Sequence, residues 1–298
     1  MRTGTANPLK LKIVKNIMFE ELYLIPIFLY IFSYLLFLPK EMKLYRLFIY
    51  LIYTGFIFQS IIFFTILSFK GFAVPVRIDR FVFFNAWILM FIVVLFSLFY
   101  KIEYILLYIT PLVAINLLIG FFAPHILIKP VMFNFDKTIL FTHIILILIG
   151  DSFFALAFIV SLIYIFQERK IKIKKNLKLF DKKDIQIPEV LHPGRGYNLE
   201  LLDNINYKCL KIGFPFITIG ILIGIYLSGT LFKTFMIVKP IEIVSLITWL
   251  IYAVLLHERI AKGLRGKNAA VFSVIGFLLI ILSLGFSFYL FPSFHGFE

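Results

Sequence analysis

The sequence is a succession of long apolar runs, each close to the length that crosses a bilayer as a helix. The chain has 298 residues, of which 61% are hydrophobic and only 15% are charged. The charged residues cluster between the apolar runs. About 20 consecutive apolar residues span the hydrocarbon core as an α-helix. The pattern therefore predicts an all-α, polytopic integral membrane bundle, with no separate soluble domain of useful size.

Eight transmembrane helices are predicted from the positions of these runs and of the charged or Pro- and Gly-containing breaks between them. They cover residues 22–38, 47–69, 81–100, 104–123, 139–166, 209–231, 241–257 and 270–291. We expect one membrane domain over residues 1–298, with a polar, basic segment at 167–208. In that segment "QERKIKIKKNLKLFDKKD" is expected to continue the fifth helix, and "PEVLHPGRGYN" to be irregular.

Lysine and arginine are distributed unevenly between the two ends of the predicted helices. The net charge is +14, and 19 of the 30 basic residues fall on one side, eleven of them within residues 167–211. The positive-inside rule makes that side cytoplasmic, so the 167–208 segment is cytoplasmic and both termini face outward. Basic loops of this kind set the orientation of membrane helices and contact anionic lipid headgroups. The partner they predict is therefore the lipid bilayer, and no nucleic acid is expected.

Three of the five histidines occupy informative positions in this topology. His143 begins the fifth helix on the outer side, and His295 lies just past the outer end of the eighth. These two can meet on the outer face. His257 lies at the inner end of the seventh helix, where "LITWLIYAVLLHERIAKGLRGK" changes from apolar to basic. Each is explained either as an interfacial residue or as a ligand.

Imidazole is a good ligand for haem iron or for zinc near neutral pH. The sequence has no HExxH motif and no local Cys/His cluster, which disfavours zinc. A haem needs only one or two axial histidines and apolar, aromatic walls. The 38 phenylalanines and 15 tyrosines can supply such walls, although a membrane core of this composition would contain them in any case.

Two of the polar residues that are predicted inside the membrane are notable. Asp151 lies about two turns into the fifth helix, and an acid at that depth is usually paired or functional. Gln59, within "GFIFQSIIFF" of the second helix, is expected to hydrogen-bond between helices. No nucleophile elbow, phosphate loop or paired-carboxylate motif is found, so no catalytic residue is predicted.

Several stretches resemble the cytochrome c assembly family of the CcsA/ResC type, including its HemX-like members. They are "FTHIILILIGDSFFALAFIVSLIYIFQERK", "LELLDNINYKCLKIGFPFITIG" and "KPIEIVSLITWLIYAVLLHERIAKGLRGK". The resemblance is best over residues 138–298. It implies a protein of the bacterial plasma (inner) membrane that binds haem and presents it on the outer face. There the haem would be attached to the CxxCH cysteines of an apocytochrome c, with a ResB-type membrane partner.

The resemblance also assigns roles to the histidines. It implies that His143 and His295 are the axial ligands of the iron of a haem b on the outer face. It implies that His257 is the family's membrane histidine, on the side where haem is made. The thiols that form the new bonds belong to the apocytochrome. The chain would therefore be a component of a haem lyase rather than the source of a catalytic side chain.

The family's tryptophan-rich loop, of the pattern WGxxWxWDPKE, is altered in this chain. The corresponding stretch is "FKTFMIVKPIE", residues 232–242. Phe232 and Met236 stand where tryptophans are expected, and Trp249 lies downstream. The resemblance implies that these three side chains line the haem site.

Three functions stay open from the sequence. The first is haem presentation for cytochrome c maturation. The second is a HemX-like, non-catalytic regulatory or scaffold role linked to tetrapyrrole synthesis, which the altered loop favours. The third is transport of a small solute, with Asp151 in a proton relay.

Overall fold

The computed structural model describes the backbone of residues 8–37, 42–70, 78–100, 102–122, 137–180, 198–232 and 240–285. Within these stretches, side chains are described for residues 22–36, 44–68, 81–100, 102–122, 138–173, 198–230 and 243–282. The predicted irregular stretch "PEVLHPGRGYN" lies almost entirely outside the described residues.

The described backbone forms eight α-helices. They are α1 (Pro8–Phe37), α2 (Met42–Lys70), α3 (Ile78–Tyr100), α4 (Ile105–Phe122), α5 (Lys137–Phe180), α6 (Leu199–Phe232), α7 (Pro240–Ala261) and α8 (Lys267–Gly285). Among the described residues, α2 to α7 are long and apolar enough to cross a membrane, and α1 and α8 contain shorter apolar stretches. The prediction of an all-α, polytopic membrane protein is confirmed.

Three helices are longer than the hydropathy of the sequence indicates. α1 begins at Pro8 rather than near residue 22. α5 has 44 residues and is about 66 Å long, so it extends well beyond a hydrocarbon core of about 30 Å. Its basic end is the predicted continuation of the fifth helix. α6 begins at Leu199 rather than near residue 209, because Asn198 caps its first turn: the Asn198 Oδ1 accepts a hydrogen bond from the Glu200 N–H at 2.9 Å.

The helices divide into two compact units, residues Met1–Ile126 and Leu127–Glu298. In the first unit α1 packs on α2 and α4, and α3 packs on α4. Tyr30 donates a hydrogen bond to Gln59 at 2.8 Å, so Gln59 joins two helices as predicted. Trp87 stacks on Phe63 with ring centroids 3.8 Å apart. The single domain predicted over residues 1–298 stays a prediction.

In the second unit, close packing of α5 on α6 is the most extensive contact between helices. Glycines of α6 make it possible. A β-carbon added to Gly213 would lie 2.8 Å from the Cβ of Phe153, and one added to Gly220 would lie 2.7 Å from the Cδ1 of Ile147. Small residues of this kind let helix backbones approach closely in a membrane. α8 packs on α5 and α7 to complete the unit.

A buried polar cluster, here called the polar clamp, joins the four helices of this unit. It consists of Asp203 and Asn206 of α6, Arg259 of α7 and Ser273 of α8. Arg259 is only 7% exposed; its Nη2 donates to the Asp203 carboxylate at 2.5 Å, and its Nη1 donates to the Asn206 side-chain oxygen. Since a buried charge is costly unless it is paired, these bonds fix the end of α7 against α6.

The remaining bonds of the polar clamp reach α5, α8 and the turn after α7. The Asn206 Nδ2 lies 3.1 Å from the Ala157 carbonyl of α5 and 3.0 Å from the Ser273 hydroxyl of α8. The Gly266 N–H donates to the Asp203 carboxylate at 3.0 Å. Gly266 has a φ of 72°, which favours glycine. The polar clamp therefore sets the α7–α8 turn as well as the helix positions.

Substituting Arg259 tests how much of the stability of the second unit depends on this cluster. We expect Arg259→Met to lower the free energy of unfolding by about 3 kcal/mol, because Asp203 and Asn206 lose their partner in a buried setting. The measurement is denaturant unfolding of the detergent-solubilised protein.

The matched control is Lys262→Ala. Lys262 pairs with Glu258 at 2.9 Å on the same helix end, but its side chain is 70% exposed. We expect this substitution to cost less than about 0.5 kcal/mol. Equal losses of unfolding free energy in the two variants would show that the polar clamp contributes no more to stability than an exposed ion pair.

Candidate functional site

The imidazole of His143 is held against α6. Its Nδ1 lies 2.8 Å from the carbonyl oxygen of Gly220. Because a carbonyl oxygen only accepts hydrogen bonds, Nδ1 is the donor, and in the neutral ring the lone pair is then on Nε2. No residue of the described part of the chain forms a hydrogen bond with that Nε2. The ring is therefore fixed through one nitrogen, and the other nitrogen has no partner among the described residues.

Two glycines of α6 provide the space for this ring. A β-carbon added to Gly224 would lie 2.8 Å from the Cε1 of His143 and 3.3 Å from its Nδ1. Gly220, one turn earlier, contributes the carbonyl. We call His143, Gly220 and Gly224 the histidine niche. Its geometry depends on the absence of a side chain at residue 224.

The histidine niche fits the requirements of an axial ligand to haem iron. A histidine that binds a metal almost always donates its other ring N–H to a carboxylate, a backbone carbonyl or water. The Gly220 carbonyl accepts a hydrogen bond of this kind from His143, whose side chain is half-buried. The His143 Nε2 is the atom that can bind iron.

Trp249 of α7 lies near the level of the histidine niche. Its Nε1 donates a hydrogen bond to the Thr218 hydroxyl at 3.0 Å, and its ring stacks on Phe214 of α6. Thr218 precedes Gly220 by two residues, which is about 3 Å along the helix axis. The indole N–H is engaged within the bundle. The predicted contact of Trp249 with haem therefore stays a prediction, and it would have to be made by the ring.

His257 lies at the other end of the second unit. Two residues later, Arg259 bonds to Asn206 of α6, whereas His143 bonds to Gly220 of the same helix. Fourteen residues of α6 separate these positions, which is about 21 Å. The side chain of His257 is exposed. It continues an exposed apolar face of α7 formed by Ile243, Leu246, Ile247, Leu250 and Val254.

The other predicted ligands and wall residues are not placed by the structure. His295 and Met236 lie outside the described residues, as does the side chain of Phe232. The meeting of His143 and His295 on one face stays a prediction.

Asp151 lies in α5, eight residues after His143, which is about 12 Å along the helix. It is half-buried and interacts electrostatically with Tyr252 of α7. Within the described ranges no side chain forms a hydrogen bond or an ion pair with it. A functional role for Asp151 stays a prediction.

Sequence reasoning missed the two glycines of the histidine niche and the polar clamp. Gly213, Gly220 and Gly224 are spaced by seven and four residues, which places them on one helix face. This spacing could have predicted the face of α6 on which another helix packs closely. Arg259 lies two residues past the predicted end of the seventh helix, so the sequence places it in a loop. Its partners Asp203 and Asn206 precede the predicted start of the sixth helix.

Comparison with known proteins identifies the family of the chain. Residues 76–294 match the sequence model of the family described as Cytochrome C assembly protein. The cytochrome c biogenesis protein CcsA of Trieres chinensis is 39% identical over 112 residues, which is 37% of this chain and 35% of that protein. The CcsA of Guillardia theta is 30% identical over 152 residues, half of each chain.

The matched stretches span at most about half the length of these relatives. The family match covers more of this chain than they do, and it extends over α3 to α8. It also includes His143, Gly220, Gly224 and the polar clamp. The chain therefore belongs to the cytochrome c assembly protein family, and its long apolar helices make it an integral membrane protein.

Proposed function

We propose that this chain binds haem and presents it on the outer face of the bacterial plasma membrane for covalent attachment to apocytochrome c. The observation that carries the proposal is the orientation of His143. Its Nδ1 bonds to the Gly220 carbonyl at 2.8 Å, and its Nε2 is unpaired among the described residues. This is the state in which an imidazole binds iron.

In this proposal His143 and His295 supply the two axial nitrogens. The haem iron would be held by the His143 Nε2 on one side, and His295 would complete the coordination. Phe232, Met236 and the ring of Trp249 would pack against the porphyrin and keep water away. The substitution of tryptophans by Phe232 and Met236 removes indole N–H donors but keeps the apolar contact.

The bond-forming chemistry belongs to haem and to the apocytochrome. Each cysteine S–H of a CxxCH motif adds across one haem vinyl group, forming a thioether and leaving no other product. The task of this chain is to hold, orient and shield the porphyrin. His257, on the exposed face at the opposite end of the second unit, would receive haem from the cytoplasmic side. A ResB-type membrane partner would complete the assembly.

Removing the predicted ligands tests haem binding. We expect the purified protein to show the absorption spectrum of a bis-imidazole haem, and His143→Ala and His295→Ala each to lose it, because each removes one axial nitrogen. The control is His192→Ala, which removes a histidine of the polar segment and should leave the spectrum unchanged. A colourless wild-type protein that does not take up added haem would contradict the proposal.

The position of Trp249 gives a second readout. The chain contains only two tryptophans, so Trp87→Phe leaves Trp249 as the sole indole. We expect added haem to quench its fluorescence, because Trp249 bonds to Thr218 close to Gly220 of the histidine niche. Quenching should disappear when His143→Ala is added to the Trp87→Phe variant. Strong haem absorbance without quenching would place the haem elsewhere.

The proposed orientation is testable by cysteine labelling. Cys209, the only cysteine, is buried, and Cys209→Ser gives a background free of cysteine. We expect a membrane-impermeant maleimide to label Thr138→Cys in intact cells and to label Lys262→Cys only after permeabilisation. Both residues are exposed and lie at opposite ends of the second unit. Labelling of Lys262→Cys in intact cells, with Thr138→Cys labelled only after permeabilisation, would contradict the predicted outward orientation of the termini.

The altered loop favours one alternative, a HemX-like protein without a part in haem attachment. The two functions differ in what deletion does to the cell. Haem presentation requires that cells lacking this chain accumulate apocytochrome c without thioether-bound haem. A HemX-like role instead predicts normal c-type cytochromes and a changed level of tetrapyrrole-synthesis enzymes.

A further inference from the structure

We propose that α6 selects the iron-binding nitrogen of His143, with Gly220 and Gly224 as positioning residues. The Gly220 carbonyl would keep the proton on Nδ1, and the bare backbone at Gly224 would admit the ring. Nε2 would then be presented to the ligand before any ligand binds. The identity of that ligand as haem rests on the proposed function, whereas the selection of the nitrogen does not.

The hydrogen bond to Gly220 is the first step of the argument. Inside an α-helix, a backbone carbonyl already accepts the N–H of the residue four positions later. A carbonyl oxygen has two lone pairs, so it can accept a second hydrogen bond. The His143 Nδ1, at 2.8 Å, occupies that second position. The hydrogen bond that one nitrogen makes decides which nitrogen carries the proton.

Steric access is the second step. The ring reaches the Gly220 carbonyl only by lying against α6 at Gly224. A β-carbon there would stand 2.8 Å from Cε1, well inside van der Waals contact. Any side chain at residue 224 must therefore push the imidazole away from α6. The Nδ1–carbonyl bond would lengthen and the preference for one tautomer would weaken.

The register of the two helices is the third step, since donor and acceptor lie on different helices. The contacts of Gly213 with Phe153 and of Gly220 with Ile147 fix how far α5 is shifted along α6. A slip of one residue would move the carbonyl by about 1.5 Å and break the bond. The close packing of α5 on α6 therefore serves as a rigid support for the ligand.

The expected chemical result is a more electron-rich imidazole. A ring that donates its N–H to a carbonyl is a stronger base at the other nitrogen, and such orienting partners usually contribute about 10- to 100-fold to metal affinity. A stronger donor also stabilises ferric over ferrous iron. Loss of the Gly220 bond should therefore weaken haem binding and raise the reduction potential of the bound iron.

The first experiment needs no haem. The full-length protein is labelled with ¹⁵N-histidine in lipid bilayers, and its nitrogen spectrum is compared with that of His143→Ala to isolate the signals of residue 143. We expect the neutral Nδ1–H tautomer in the haem-free protein. The Nε2–H tautomer at this position would overturn the proposal.

The second experiment compares Gly224→Ala with Gly276→Ala. A β-carbon at residue 224 would meet the His143 Cε1 at 2.8 Å, and one at residue 276 of α8 would meet the Tyr252 Cζ of α7 at 2.7 Å, outside the α5–α6 contact. We expect Gly224→Ala to lose about 10- to 100-fold in haem affinity and to raise the reduction potential. Gly276→Ala should bind haem at the wild-type potential. Equal potentials in the two variants would overturn the proposal.

The two experiments separate this inference from the proposed function. An Nδ1–H tautomer in a wild-type protein that binds no haem would support the positioning by α6 and contradict haem presentation. A wild-type protein that binds haem but carries the His143 proton on Nε2 would support haem presentation and contradict the positioning by α6. The tautomer is measured on the wild-type chain, so misfolding of a glycine variant does not leave the proposal untested.

Discussion

The close packing of α5 on α6 is the constraint on which the rest of the second unit depends. In a membrane, apolar side chains gain little by leaving lipid for protein, so helices associate through tight packing and a few polar contacts. Gly213 and Gly220 bring the two backbones near enough for side chains of α5 to reach α6. The same proximity lets the His143 ring find a backbone acceptor on the neighbouring helix.

The polar groups of the unit follow the same physical rule at both ends. Arg259 is buried at one end and is compensated by Asp203 and Asn206, which makes it a structural charge. His143, at the other end, satisfies only one of its nitrogens within the described residues. A fully paired group holds helices together, whereas a half-paired group is available to a ligand. This difference distinguishes the polar clamp from the candidate site.

Part of the candidate site was predictable from residue type and family resemblance. His143 and His257 were singled out because imidazoles at membrane boundaries are potential ligands. In the structure His143 bonds to Gly220, and Arg259, two residues after His257, bonds to Asn206, about 21 Å away along α6. The orientation of the His143 ring was not predictable. It depends on a carbonyl 77 residues away, and a backbone carbonyl is present at every position of a sequence. Only the juxtaposition of α5 and α6 makes the carbonyl of Gly220 different from the others.

The sequence by itself determined the eight helices and the membrane environment, because hydropathy and helix length are local properties set by consecutive residues. It failed at the start of α6, where the cap at Asn198 and polar residues extend the helix beyond its apolar part. Tertiary structure alone decided that Arg259 is buried and paired, and that Gly224 leaves space for an imidazole. Both depend on which helix faces meet, and that is settled by packing between residues far apart in the chain.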